Sequence, residues 1–434
     1  MNDASTKRSV LYVATLTSFL APFMGSATNV ALPSIQKDFH LDAIILAWIA
    51  TSYLLSSAVF LVPLGKAADI YGRKKMYVYG LYVITISSFL SATSINPYML
   101  LASRVLQGIG SGMTFATGMA IITSVFPPLE RGRAIGITVG AVCARKLTGE
   151  WADARGEELD IVGSVLYGVG ILLIMVGFSI VPSVKSVWAI VSGVAFIGCF
   201  AWWELRATSP VFNLELFTHN RTFAFSSLAA LINYSATFAI TFLLSLYLQY
   251  IKGLSPETAG MVLVAQPIMM AGFSPLAGKL SDRIEPQKVA SLGMGIIAVG
   301  LLIMSFLSRQ TSLVLIVLDL LMLGFGFALF SSPNMNAIMS SVQRKFYGIA
   351  AGSVASMRLL GQMFSMGIAT VVFSIYLGPV PITPKLYTPF VKSLNTAFII
   401  FTVLCAAGIF ASLARGKLGT NNRSSPKAAS GTGT

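Results

Sequence analysis

Arg104 stands inside a long apolar stretch with Gln107 about one helical turn away, and Arg358 repeats the arrangement with Gln362. A guanidinium within an apolar span costs about 2.5–3.5 kcal/mol on insertion scales, so it turns toward the interior of a helical bundle. There the neighbouring amide can orient a substrate or water beside it, or the arginine donates to backbone carbonyls as a structural group. Asp319 is the one acidic residue well inside an apolar stretch, and Glu204 closes another. A carboxylate in that setting is a natural proton carrier, because burial opposes its charged form. Its place near the end of the stretch suits a water-reached or structurally paired group equally well. Asn334 and Asn336 flank Met335. Amides at such positions join a transport path or, more commonly, hydrogen-bond between helices.

A second set of polar residues occurs twice. Gly65-Lys66-Ala67-Ala68-Asp69 and Gly278-Lys279-Leu280-Ser281-Asp282 are 213 residues apart, each between the second and third long apolar segments of its half. Gly108-Ile109-Gly110 aligns with Gly324-Phe325-Gly326, and Gly132 with Gly348, both at an offset of 216. A duplicated polar loop implies two halves built on one plan, the architecture of many secondary transporters. Asp69 is expected near a helix start, where a carboxylate faces the positive end of the helix. Gly65 and Gly72 permit tight turns or close backbone approach. Arg73 and Lys74 offer partners for carboxylates of the other half, and Gly278, Asp282 and Arg283 supply the matching groups of the second copy. Contacts that break readily suit a gate whose two states stay close in energy; a purely orienting basic loop is the plainer reading.

The elements that position these groups must be membrane helices. The chain is 55% hydrophobic and 11% charged, with mean hydropathy +0.77. A span needs about 20 mostly apolar residues, and twelve such stretches occur: 10–33, 45–65, 76–94, 98–126, 162–181, 186–204, 222–250, 258–278, 287–308, 312–332, 349–376 and 394–415. The first lacks a small-residue cleavage site and is read as a retained span. Alternating strand patterns are missing, and lipid offers no partner for free backbone groups, so the spans are helices. The net charge of +14 is asymmetric. Lys37, Lys185, Lys252, Arg309, Lys385 and Lys392 fall outside, Arg104 and Arg358 within spans, and every other basic residue on the cytoplasmic side. Both termini are therefore expected in the cytoplasm, and the basic balance reports topology rather than a nucleic-acid partner.

The first half carries a defect. After Gly132, residues 134–144 begin a helix that meets Arg145-Lys146 and further polar residues. Eleven residues give about 16 Å, half the membrane thickness. If that segment crossed, every later loop would invert and the charge asymmetry would fail.

Together these stretches resemble the major facilitator superfamily, specifically its fourteen-helix drug:proton antiporter family. The residues that carry the likeness are Gly65 through Lys75, Arg104 through Gly110, Asn29-Val30-Ala31-Leu32-Pro33, Glu158 through Ser164, and Tyr247-Leu248-Gln249-Tyr250. The resemblance implies an all-α membrane protein, a major-facilitator-type bundle of about twelve transmembrane helices in two pseudo-repeated halves, the first incomplete. It divides the chain into an N-terminal bundle 1–144, a charged cytoplasmic loop 145–161, a two-helix linker pair 162–205, a six-helix bundle 206–416 and a disordered cytoplasmic tail 417–434. It implies a part for Arg104 in proton coupling. Two departures bear on coupling: the family's glycine- and proline-rich helix-five motif is missing after Ala144, and Met24 stands where a carboxylate is common.

The expected function is secondary active transport, proton-coupled efflux of small lipophilic or cationic compounds by alternating access, by a monomer in the cell membrane. The proton is the coupling ion and no cofactor or metal is called for. Gly65, Asp69, Gly72, Arg73, Lys74, Gly278, Asp282 and Arg283 would gate; Arg104, Gln107, Asp319, Arg358 and Asn334 would line the coupling and transport path. A second reading is a truncated, transport-inactive relative that acts as a binding or assembly partner. A third lets spans 162–181 and 186–204 fill the vacancy. Enzyme chemistry finds no support, because Cys143, Cys199 and Cys405 are isolated, His40 and His219 lie in loops, and Gly108-x-Gly110-x-Gly112 follows no strand.

Overall fold

A computed structural model describes residues 27–125, 159–207, 210–212, 214–342 and 347–415. The half-length helix 134–144, the charged loop up to 158, Met24 and the tail from 417 lie outside the described residues. The described part is helical: α1 (27–39), α2 (Ala43–Tyr71), α3 (Arg73–Ala92), α4 (Pro97–Val125), α5 (Ile161–Ser179) and α6 (Val184–Glu204). A one-turn helix, Glu215–His219, precedes α7, which runs Arg221–Ile251 and ends in a π-helical turn. Then follow α8 (Pro256–Leu263, continued as Ala265–Arg283), α9 (Pro286–Met304), α10 (Leu313–Ser340), α11 (Tyr347–Tyr376) and α12 (Tyr387–Leu413). Nine of the described helices are long and apolar enough to cross a membrane.

Local chemistry sets the starts. Asp42 accepts from the Ile44 and Ile45 amides at 2.8 Å, Asn220 from Phe223, and Ser255 and Ser312 cap α8 and α10, with Pro256 in the first turn of α8. Gly72, at φ 117°, separates α2 from α3 as a single residue, a conformation open to glycine. That turn and the Ile284–Glu285 turn mark one end of the bundle, the loop end. The 252–255, 305–312 and 377–386 connections mark the far end.

The two sequence offsets reappear as two copies of one packing arrangement. A Cβ on Gly108 of α4 would strike the Tyr53 carbonyl and Ser56 of α2; one on Gly324 of α10 would strike the Gln266 carbonyl and Met269 of α8. Gly110 meets Gly80 and Ile84 of α3, while Gly326 meets Gly293 and Ile297 of α9. Gly65 faces Ala116, and Gly278 faces Ser332. Within each pair the α2, α3, α8 and α9 partners differ by 213 and the α4 and α10 partners by 216. Small residues let these backbones approach where lipid supplies little hydrophobic drive. Thus α4 packs between α2 and α3 as α10 packs between α8 and α9.

The second half adds α11 and α12, which pack on α7, with α12 also on α9. The helices α5 and α6 do not take the corresponding places in the first half. Among the described residues α6 packs on α5, whereas α5 bridges α2 and α11 at the seam of the halves. Tyr167 donates to the Ala58 carbonyl at 3.2 Å, Phe178 fills the space left by Gly367, and Ser374 donates to the Val181 carbonyl. Asp160 caps α5 and accepts from Trp203 at 3.0 and 3.1 Å, tying the pair together. The reading in which this pair fills the vacancy is therefore corrected. The outer face of α6, with Val184, Val187, Trp188 and Val191 exposed, is suited to lipid.

Candidate functional site

A cavity of about 280 Å³ lies between the halves, lined from α1, α2, α4, α7, α8, α10 and α11. Arg104 and Arg358, separated by more than half the chain, both reach it. Arg104 is 4% exposed: it donates to the Ile49 carbonyl at 3.1 Å and to Gln107, whose amide donates on to Ser88 of α3 at 2.9 Å. Its guanidinium lies 4.8 Å from the centre of the Tyr53 ring, and Tyr53 shares a 2.9 Å hydrogen bond with Ser111. Gln107 thus anchors the arginine and stays off the cavity wall. Arg358 is exposed and lies 5.4 Å from the Tyr234 ring, with Gln362 one turn away on the same wall. Tyr234 in turn meets Phe327 edge-on at 5.5 Å.

The other path candidates lie off this cavity. Asp319 is 3% exposed, faces Gly300 of α9, and neither carboxylate oxygen has a hydrogen-bond partner among the described residues. An ionised carboxylate there is a bare charge inside the bundle. Asn334 donates to the Ser226 carbonyl of α7 at 3.3 Å, and Asn336 to Ser281 of α8 at 3.1 Å. Both amides clamp helices together, the plainer of the two roles expected. Glu204 accepts from the Phe212 amide at 3.0 Å where α6 ends.

At the loop end, Asp69 falls in the last turn of α2 rather than near the start of its own helix. It serves α3 indirectly: its carboxylate pairs with Arg73 at 2.7 Å. Arg73 opens α3, where a cation opposes the helix dipole and a carboxylate partner offsets that. The second copy lacks this pair, because the 213 offset puts Pro286 where Arg73 would be. There Pro286 starts α9, Glu285 pairs with Lys288 at 3.1 Å, and Arg283 is exposed at the end of α8. The Asp282 side chain lies outside the described groups.

The far end is held shut. Gln249 donates to the Val30 carbonyl at 3.0 Å, Ser245 to the Asn29 carbonyl at 2.8 Å, Tyr250 hydrogen-bonds Gln36, and the Ala43 amide donates to the Val380 carbonyl at 3.2 Å. These hydrogen bonds between the two six-helix-type halves all lie at this end. The Ser245 bond has a cause in the sequence. Within α1 the Asn29 carbonyl would accept from residue 33, which is proline and has no N–H. Ser245 of α7 supplies the missing donor, so two quoted motifs, 29–33 and 247–250, meet in one latch.

Sequence reasoning passed over Tyr53, Tyr234 and Phe327, since aromatics scatter through all the spans. A signal was present for one of them: Tyr53 and Gln266, at the 213 offset, are polar residues at one position of both halves, and both line the cavity.

The arrangement leaves room for a small organic molecule between two helical bundles. Comparison with known proteins agrees. The family model described as Major Facilitator Superfamily matches residues 14–210 and 226–432. The chain is 28% identical over 397 residues to the riboflavin transporter RibZ of Clostridioides difficile, covering 83% of this chain and 86% of that protein. It is 26% identical over 396 residues to the multidrug resistance protein Stp of Mycobacterium tuberculosis, covering 80% and 72%. It is 27% identical over 399 residues to a probable actinorhodin transporter of Streptomyces coelicolor, covering 80% and 68%. The crystal structure of a bacterial homolog of the human lysosomal transporter Spinster, inward-facing and unoccupied, superposes with a TM-score of 0.65 at 16% identity, covering 95% of this chain and 98% of that one.

Proposed function

The chain belongs to the Major Facilitator Superfamily, and we propose that within it the protein is a proton-coupled exporter of small lipophilic compounds. The observation that supports this reading is the cavity between the halves, beneath a far end shut by α1–α7 hydrogen bonds. Opening that latch while the loop end closes would deliver a bound molecule to the other side. Asp319, a buried carboxylate without a hydrogen-bond partner among the described residues, is the proton carrier; Asp69 and Arg73 set the loop-end gate; Arg104 and Arg358 connect the cavity to the moving helices. The loop end faces the cytoplasm of a cell-membrane protein with both termini inside, as the basic residues there favour. The working unit is the monomer, and the proton serves in place of any cofactor. Relatives named for riboflavin, for multidrug resistance and for actinorhodin are consistent with an organic cargo. A cationic cargo, otherwise expected of such a protein, is disfavoured by two fixed positive charges on the cavity wall.

The test uses proteoliposomes holding the full chain and a fluorescent lipophilic probe. A pH gradient should drive probe movement that collapses with a protonophore. Movement indifferent to the gradient at good incorporation overturns the reading. It would favour the second one, a transport-inactive binding or assembly partner, which the short stretch 134–144 supports.

A further inference from the structure

The two cavity arginines are not equivalent, and their difference assigns a cargo. Arg104 is committed: it is buried, donates to Ile49 and Gln107, and covers Tyr53. Arg358 is uncommitted. It is exposed on the cavity wall, and among the described residues its guanidinium has no hydrogen bond or ion pair. Its guanidinium lies 5.4 Å from the centre of the Tyr234 ring, and Tyr234 continues into Phe327. No Asp or Glu stands among the described lining residues; the remaining polar groups are neutral amides and hydroxyls such as Asn29, Gln266 and Gln362. Tyr53, Arg104 and Arg358 line the same cavity, so the two positive charges converge on one region.

From this we infer that the cavity takes planar aromatic anions, such as aromatic carboxylates, sulfonates or phenolates, with Arg358 as the counter-ion and the Tyr234–Phe327 pair as the stacking surface. A planar guanidinium matches an oxyanion with paired donors and lies well against aromatic faces. An apolar wall with few polar groups selects by shape, while the uncompensated charge selects by sign. At about 280 Å³ the space is near the low end of ligand pockets, suited to a compact ring system. An aromatic cation would meet two like charges and no carboxylate. This inference deepens the exporter reading and rests on it for direction of movement, but the binding itself does not.

The experiment compares two bicyclic probes of similar size and opposite charge, 2-naphthalenesulfonate and N-methylquinolinium. Binding is measured by calorimetry to the full chain in nanodiscs, with empty nanodiscs as the blank. The anion should bind at least about tenfold tighter than the cation. Arg358→Gln should weaken the anion about tenfold and leave the cation unchanged or improved, while Arg358→Lys, which keeps the charge, should recover part of the loss. Preference for the cation overturns the inference. So does anion binding indifferent to Arg358→Gln in a variant that stays monodisperse, or equal loss in the Gln and Lys variants. The two readings fail separately. Anion binding without movement in proteoliposomes sinks only the exporter reading, and gradient-driven movement of other compounds without anion binding sinks only this one.

Discussion

The latch at the far end gives a population shift that follows from one proline. Because Pro33 cannot donate, the Asn29 carbonyl depends on Ser245, and the neighbouring Val30 carbonyl accepts from Gln249. An interhelical hydrogen bond in a membrane protein contributes about 0.6 kcal/mol on average. A carbonyl left without its only donor costs about 1–3 kcal/mol. The double variant Ser245→Ala, Gln249→Leu should therefore destabilise the far-end-closed state by at least about 1.6 kcal/mol, a shift of about 15-fold toward far-end-open forms. Spin labels on cysteines introduced at the exposed positions Asp38 and Lys385, with the native cysteines replaced, report the distance across that end. The decisive control is Pro33→Ala, which restores an N–H four residues beyond Asn29. In that background Ser245→Ala should lose most of its effect. An equal shift with and without Pro33 would refute the reasoning, since the carbonyl would then never have depended on Ser245.

Other outcomes follow from the same geometry. Asp319→Asn should abolish the pH dependence of probe movement while leaving 2-naphthalenesulfonate affinity within about twofold, because the carboxylate lies off the cavity; calorimetry beside proteoliposome flux checks both. Gly108→Ala and Gly324→Ala should each lower thermal stability by about 1–3 kcal/mol and by similar amounts, measured by unfolding in detergent, since both press a Cβ onto the facing backbone. Asp69→Asn should reduce flux about tenfold with under about 1 kcal/mol of stability lost, because Asp69 is about a third exposed; the exchange Asp69→Arg, Arg73→Asp should return part of the flux. Export of an aromatic anion should quicken under an inside-negative potential imposed at zero pH gradient, read by dye flux with potassium and valinomycin.

Much of the frame was readable because it is periodic. Apolar stretches of spanning length gave the helices, and the offsets of 213 and 216 gave the repeat, down to which glycine faces which carbonyl. The three-residue difference between the offsets is itself a structural statement: the α3–α4 connection and the α9–α10 connection differ in length. Side-chain roles were harder, because they depend on distant partners. Nothing local in Asp69 distinguishes a carboxylate facing a helix start from one closing the preceding helix; that turns on Gly72 being the whole connection. Asn334 reads as a path residue or a clamp until the Ser226 carbonyl is found 108 positions away. The seating of α5 against α2 and α11 was likewise beyond a one-dimensional pattern, since it rests on Gly367 leaving room for Phe178.

The placement of charge has an energetic consequence that joins the cavity to Asp319. Exchanging one entering proton for one departing anion carries two charges in the same electrical sense. With about 2.3 kcal/mol per charge per 100 mV, an inside-negative membrane adds about 4.6 kcal/mol per 100 mV to each cycle. Exchange of a proton for a cation gains nothing from the same field. Fixed arginines in the cavity and a carboxylate outside it therefore suit an exporter of anions better than one of cations. The two sites are also mechanically joined. Asp319 and the cavity residue Phe327 share α10, eight residues or about 12 Å apart along a single helix. On the proposed reading, a proton at one and a substrate at the other would act on one helix, so neither needs to touch its counterpart for binding at each to bias the same movement.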